Sequence, residues 1–408
     1  MSDSRAASSP RLVRHANAET VLRFALARDV FNASDVIEST GLTRSTVIGI
    51  CDELMALGWI GQPGDSRDAV GYSKGRPARL FELDARAGLV VGIDAGQHNV
   101  TVVVADLRGE PLSRTHETFL GDGLDPDDRI AVTEAALEKA LVDADASRDA
   151  VLATVVGIPA PTDERGRSPE GDDGYWARMN PGLTTALAGH GVIVVENDAN
   201  LAAIAEQSIG AGQEAASFAA LLAGERFGAG LIIDGSLLHG RHGGAGEMRA
   251  LDLVDGVGDA SGLAVLARTW AEEAREAGLP KGSPLAGHAG RALMAEDVFA
   301  AARAGDPAAL SVCERLGARL ARICILLASL LDVERVVVVG AIAASAGPVI
   351  DEARAALDEY YPPVPEIVPS SLGADAVVIG GIQRGLSLVR EHPLDFRLAG
   401  RGAGAEAG

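Results

Sequence analysis

Four consecutive residues, Thr43-Arg44-Ser45-Thr46, have the chemistry to read a nucleic-acid base edge. Arg44 can pair with a guanine or a phosphate, and the short hydroxyl donors beside it suit close approach. Thirty residues on, Lys74-Gly75-Arg76-Pro77 has the composition of a thin, stiff basic tip, with Arg79 beyond it. Such a tip can lie along a phosphate backbone or in a minor groove. A different chemistry stands at Asn197-Asp198, a carboxylate beside an amide just after a buried strand. A carboxylate held there is fixed at the floor of a cleft, where it can accept a proton from a hydroxyl. Taken alone, Asp198 also reads as a simple helix N-cap.

The elements around the first motif are those of a helix-turn-helix. Apolar Val21, Leu22, Phe24 and Ala25 recur at helical spacing in residues 18–29, and a short helix follows from about Ser34, its expected N-cap, to Ser39. Thr40-Gly41-Leu42 makes a tight turn. Thr43 caps a third helix, Arg44 to about Leu57, with Val47, Ile50, Cys51, Leu54 and Leu57 as its buried stripe and Gly58 as its stop. Trp59-Ile60 opens a strand, residues 62–73 form a loop, and Ala78 to Leu83 returns. In this order the third helix enters the major groove, and a basic loop between two strands is a wing. Ile48 and Gly49 offer little to base readout.

The second motif belongs to a larger α/β body. Residues 88–109 read as strand, turn at Asp94-Ala95-Gly96, strand and turn, and residues 217–238 repeat the unit through a glycine turn at 224–230 and a hairpin at Asp234-Gly235. Helices are expected near 128–143, 198–209, 262–277, 295–304 and 307–331, the last as core, and two late buried strands at Val336–Val339 and Ala376–Ile379. Two such halves imply a duplicated body with a cleft between them. The expected organisation is a flexible lead at 1–17, a winged helix-turn-helix at 18–87, a two-lobed body at 88–397 and a disordered tail at 398–408.

Composition is consistent with this. Of the 408 residues 47% are hydrophobic and 23% charged, a globular balance. No apolar run reaches the roughly 18 residues of a membrane span, and the N-terminus lacks the apolar stretch of a signal peptide, so a cytoplasmic protein is expected. Cys51, Cys313 and Cys324 form no disulfide framework and no metal-ligand spacing. The net charge of −21 falls wholly on the body, because residues 1–87 hold 11 basic and 11 acidic residues. A neutral head can grip phosphates while an acidic body stays clear of the duplex.

Across residues 18–390 the chain resembles the ROK family of repressors and sugar kinases, in its regulator branch. The resemblance rests on GLTRSTVIGICDELMALGWI and GRPARLFEL in the head, and on VGIDAG, VVGIPAP, VVENDANLAAIAE and GAGLIIDGSLLHGRHGGAGE in the body. It implies a two-lobed actin-like or hexokinase-like ATPase fold. It implies also that Asn180, Asn197, Asp198 and Glu247 line a sugar pocket, Asp198 standing where the kinases have their general base. Asn180 alone also reads as a turn residue before Pro181.

The pattern breaks where a kinase needs its phosphates held. The first turn is Asp94-Ala95-Gly96-Gln97-His98, with bulky side chains where the kinases have Gly-Thr. The second is Gly224-Glu225-Arg226-Phe227-Gly228, and Glu225 puts a carboxylate in place of a phosphate's neighbour. Two unit charges roughly 4 Å apart repel by about 4 kcal/mol at an effective dielectric near 20; Arg226 is the nearest candidate in sequence to neutralise it. Gly340-Ala341 departs from a Gly-Gly pattern on the adenosine side. The family's zinc ligands are missing as well: Ala250 stands at the histidine position and residues 250–270 hold no cysteine, so the segment Asp252–Ala260 is expected to fold without metal. No catalytic residue, zinc or ATP is therefore expected, Asp198 being a vestigial base position. The expected protein binds a double-stranded DNA operator as a homodimer or homotetramer and takes a sugar or sugar derivative as ligand. Two alternatives stay open: an active sugar kinase with an accessory head, and a ligand-independent DNA-binding scaffold.

Overall fold

The computed structural model describes residues 10–63, 78–123, 125–171, 174–288, 291–360 and 364–399. Lys74 and Arg76 lie outside the described residues.

The first unit contains α1 (Pro10–Leu26), β1 (Val30–Asn32), α2 (Ala33–Thr40), α3 (Arg44–Leu57), β2 (Ile60–Gly61) and β3 (Leu80–Leu83). Helix α1 starts well before residue 18, within the expected lead. Pro10 suits a first helical position, since its missing N–H has no partner there anyway. The first turns carry no apolar stripe to betray them: Leu12 and Val13 are 64% and 45% exposed. Asn32, not Ser34, caps α2. Its Oδ1 accepts from the Ser34 and Asp35 amides at 2.7 and 3.3 Å, and the Asp35 carboxylate accepts from the Asn32 amide at 2.8 Å, a reciprocal box. Thr43 caps α3 and Gly58 ends it in the left-handed conformation at φ 87°. Leu57, expected on the buried stripe, is 44% exposed, because the last turn carries it to the edge of that face. Strand β1 is an addition to the expected order; it pairs with β3, which pairs with β2, all antiparallel.

The body holds two sheets of identical strand arrangement. Lobe I contains β4 (Leu89–Ala95), β5 (Asn99–Asp106), β6 (Pro111–Thr118), α4 (Pro126–Asp143), β7 (Val151–Ile158), α5 (Tyr175–Met179), α6 (Leu183–Ala186) and β8 (Val192–Asn197), with sheet order β6-β5-β4-β7-β8. Lobe II contains α7 (Asp198–Ile209), β9 (Phe218–Leu222), β10 (Gly228–Ile233), β11 (Ser236–Leu237), α8 (Leu263–Ala277), α9 (Ala295–Arg303), α10 (Pro307–Leu331), β12 (Arg335–Val339), α11 (Gly347–Leu357) and β13 (Glu366–Pro369), with sheet order β11-β10-β9-β12-β13. In each lobe two antiparallel pairings come first and two parallel strands follow. Parallel interior strands are covered on both faces, which is why every residue of β7 is buried.

The last helix, α12 (Ala376–Glu391), corrects one expectation: Ala376–Ile379 is its first turn, not a strand. A short apolar run ending in glycine does not separate a buried strand from a buried helix. Here its glycines let α12 lie directly on neighbouring backbone. A Cβ on Gly380 would come within 1.8 Å of the Leu201 carbonyl oxygen of α7, and one on Gly92 within 2.4 Å of the Val378 carbonyl oxygen.

One apolar core joins the first unit to lobe I. Val21, Leu22, Phe31 and Trp59 pack in the same cluster as Val90, Leu107 and Leu152 and as Val378, Ile382, Leu386 and Val389 of α12. Each such buried side chain contributes roughly 1.5–3 kcal/mol. Polar contacts reinforce the seam. Arg23 of α1 donates to the Arg390 and Glu391 carbonyls at 3.0 and 2.7 Å, and Arg108 pairs with Asp29 at 2.6 Å. Leu398, where the disordered tail was expected to begin, packs partly buried against this core; residues 400–408 lie outside the described residues.

Candidate functional site

A cleft of about 460 Å³ opens between the lobes. Its floor is the junction of β8 with α7. Asn197 caps α7, its Oδ1 accepting from the Asn200 amide at 3.1 Å while its Nδ2 donates to the Ala160 carbonyl at 3.3 Å. Asp198 is therefore the first helical residue and not the cap. Its Oδ1 accepts from the Ala199 amide at 2.8 Å. Beneath them Glu196, 6% exposed, ties the turn together, accepting from the Asn197 amide at 2.8 Å, Asn200 Nδ2 at 2.9 Å and Thr162 Oγ1 at 3.3 Å.

Four carboxylates line this space, Asp94, Asp198, Glu225 and Glu247, and burial raises three of them. Burial pushes Asp198 well above the usual carboxylate range, and the charges of Asp94 and Glu247 add to it. Burial, then repulsion from Asp375, raises Asp94 to about 7 against the pull of Arg114. Burial raises Glu247 too, opposed by Arg249 and Arg226. Groups so crowded favour hydrogen-bond donors such as sugar hydroxyls and disfavour an anion in their midst. Asn197, Asp198 and Glu247 thus share one cleft. Asn180 is not among the residues lining it: its Nδ2 donates to the Gly166 carbonyl at 2.9 Å and to Ser168 Oγ at 3.0 Å, bracing a neighbouring loop, and its buried Oδ1 has no partner among the described residues.

Sequence reasoning passed over Asp94 as a carboxylate and the aromatic pair Tyr175-Trp176. Tyr175 and Trp176 reach across from lobe I to two arginines of lobe II. Arg226 lies 4.8 Å from the Tyr175 ring and Arg249 lies 4.5 Å from the Trp176 ring, distances at which cation and ring attract. The signal was present in the sequence as adjacent large aromatics directly after a run of glycine and aspartate.

The two phosphate turns differ from what ATP requires. Glu225 is neutralised by Arg268 of α8, at 2.9 and 3.0 Å, rather than by Arg226. The first amides of α8 and the one before it are already engaged: Gly262, Leu263 and Ala264 donate to the carbonyls of Glu225, Ala223 and Gly224 at 2.8, 2.7 and 3.1 Å. A helix N-terminus so occupied offers little to a phosphate. In the first turn, the buried Arg129 gathers the carbonyls of Ala95 and Gly96 at 2.8 and 2.9 Å. These side chains do not fit a triphosphate.

The segment of the family's zinc site is organised by other means. Arg319 of α10, 3% exposed, donates to the carbonyls of Val257, Asp259 and Ser261, the last at 2.8 Å, and stacks on Phe227 with 4.9 Å to the ring centroid. One guanidinium thus gathers three carbonyls, and the donor set holds neither thiolate nor imidazole. It does not fit zinc.

In the first unit, Arg44 and Ser45 are exposed at the start of α3 and Thr46 is half-buried. Thr43 Oγ1 accepts from the Thr46 amide at 3.4 Å and lies 3.2 and 2.9 Å from the Ser45 and Thr46 hydroxyls. Those hydroxyls are partly used in capping, so among the described residues Arg44 is the one of the four whose side chain keeps all its donors unengaged. Arg79 is engaged at home, paired with Asp52 at 2.6 Å and stacked on Phe81.

The chain is 30% identical over 208 residues to a glucokinase of Halalkalibacterium halodurans, covering 46% of this chain and 62% of that one. It is 24% identical over 240 residues to a xylose repressor of Caldicellulosiruptor bescii, covering 58% of each. The chain thus matches about three-fifths of the length of these relatives. In fold it is similar to the crystal structure of a ROK family transcriptional regulator, a homolog of the E. coli MLC protein, at TM-score 0.72 and 22% identity, covering 94% of this chain and 98% of that chain. The ROK family pattern matches residues 90–383, and this chain belongs to the ROK family.

Proposed function

We propose that this protein is a DNA-binding transcription regulator, a repressor, whose two-lobed body senses a sugar or sugar derivative without phosphorylating it. The observation that carries the reading is the path of α12. Its first residues, Ala376 and Val377, line the cleft, and its last carbonyls accept from Arg23 of α1, with a continuous apolar seam between. A ligand that draws the lobes together acts on the helix to which the head is fixed. Differential affinity for two lobe arrangements then becomes differential operator affinity.

In this reading residues 18–87 are a winged helix-turn-helix. Arg44 with Thr43, Ser45 and Thr46 meets the major groove, and Lys74 and Arg76 form the wing tip. One such head binds modestly, so a homodimer or homotetramer on a near-palindromic operator completes the assembly. Asn197, Asp198 and Glu247 orient sugar hydroxyls, and a hydroxyl polarised by Asp198 has no phosphoryl donor beside it to attack. The glucokinase similarity supports a second reading, an active kinase with an accessory head; Glu225 locked to Arg268 and the occupied α8 amides speak against it.

The test is duplex selection from genomic fragments with the full chain, followed by titration with a panel of neutral sugars and a coupled ADP-release assay. The expected result is a selected duplex released by at least one sugar, with no turnover. Steady turnover overturns the non-enzymatic part, and a chain indifferent to every fragment overturns the whole.

A further inference from the structure

A second cavity, about 340 Å³, shares no lining residue with the cleft. It lies where three parts of the body meet: the loop after β7 at 162–166, strand β8 at 193–196 with the loop after β11 at 239–243, and Arg384 on α12. Its rim is held by backbone contact. A Cβ on Gly243, at φ +70°, would come within 1.7 Å of the Thr162 carbonyl oxygen, so the two loops touch with no room for a side chain.

The charges around this cavity run against those of the molecule. In a chain of net charge −21, Arg165, Arg241 and Arg384 gather here with His239. Two of the three carboxylates present are already answered. Arg167 pairs with Asp163 at 2.7 Å, and His239 Nε2 lies 2.8 Å from Glu196 Oε2. That leaves three guanidiniums against Glu164. Among the described residues the guanidinium groups of Arg165 and Arg241 have no protein acceptor, and Arg384 has only Glu391 at 4.0 Å. Arginine forks without a carboxylate partner around an open cavity match phosphate and carboxylate groups, which they bind in pairs of parallel hydrogen bonds. The volume is that of a small-molecule site.

We propose that this cavity is a second ligand site, for a small metabolite bearing a phosphate or carboxylate group, with Arg165, Arg241 and Arg384 as its anion-binding residues. Its back wall is Glu196, the carboxylate that holds the Asn197-Asp198 turn, and its side is the middle of α12. An occupant therefore touches both the cleft floor and the rod that reaches the head. That consequence for operator binding rests on the regulator reading; the site itself does not.

Isothermal titration of the full chain with inorganic phosphate, citrate and glucose 6-phosphate tests the site. At least one of the three binds the wild-type chain. Its affinity falls tenfold or more in Arg165→Ala/Arg241→Ala, whose exposed positions leave the melting temperature unchanged, and stays within twofold in the cleft variant Glu247→Gln. Phosphate alone, citrate, or the sugar phosphate in preference to phosphate identifies which source of oxyanion fits. Absence of heat with all three probes overturns the proposal, and so does binding that survives the double substitution or is lost in Glu247→Gln. None of these readouts needs DNA, so failure here leaves the regulator reading standing.

Discussion

Asp94→Asn should change how the stability of this protein depends on pH. The carboxyl of Asp94 is raised from 3.8 to about 7, chiefly by burial and then by Asp375. The folded state therefore holds a proton that the unfolded chain releases above about pH 4. Wild-type stability consequently falls as pH rises from the unfolded value to the folded one, and levels off above about 7. Each pH unit in that window is worth about 1.4 kcal/mol for a full proton difference, so the whole window amounts to about 4 kcal/mol and the portion between about pH 5.5 and pH 8 to about 2 kcal/mol. Asp94 is only half-buried in the cleft wall, and solvent access makes these figures ceilings. The asparagine keeps the shape and has no charge to desolvate. Denaturant unfolding of both proteins at several pH values reads the difference: the variant should gain up to about 2 kcal/mol over wild type between roughly pH 5.5 and pH 8. Parallel stability curves would refute the claim that the cleft crowds its carboxylates. A variant that gains on acidification would reverse its sign.

Other substitutions test separate parts of the account. Arg44→Ala with Arg76→Ala should weaken binding to the selected duplex by about tenfold or more, at about 1–3 kcal/mol for a base contact, without altering the melting temperature; unchanged gel-shift affinity counts against the head assignment. Arg319→Ala removes one buried guanidinium and strands three carbonyls, so it should lower stability by about 3 kcal/mol or more, while a chelator leaves the wild-type melt untouched; a chelator-sensitive melt contradicts the guanidinium account. Gly380→Ala forces α12 off α7 and should cost on the order of 2 kcal/mol, read by thermal unfolding; a neutral result would show that the two helices part freely. Asp198→Asn should alter the response to sugar while duplex binding persists, and loss of folding instead would make Asp198 a structural residue.

What could be read from the chain beforehand follows a physical divide. Helix α3, with Thr43 as cap and Gly58 as stop, is specified by neighbours within one turn, and the residues announce it. The same holds for the Asp234-Gly235 turn, where Asp234 itself takes φ 49°, and for α10 with its long apolar stripe. The cap of α2 slipped from Ser34 to Asn32 because both residue types suit the role and only the strand before it decides. The run at Ala376 was misread because burial on all sides erases periodicity, and its helical state depends on backbone contacts with Leu201 and Gly92 far away in sequence. Arg319 was invisible for a related reason: the carbonyls it gathers lie about sixty residues earlier. In the cleft, Asn197, Asp198 and Glu247 were carried by motifs, whereas Asn180 faces a loop and the Tyr175 and Trp176 contacts exist only once the two lobes are apposed.

The joining of cleft and head through α12 is tested most directly by reciprocity. The affinity of an identified sugar for the full chain is measured by titration with and without saturating selected duplex. If α12 links the two sites, the duplex weakens sugar binding by the same factor by which sugar weakens duplex binding. Equal sugar affinity in both conditions, with the duplex demonstrably bound, would mean that head and body are joined in structure alone.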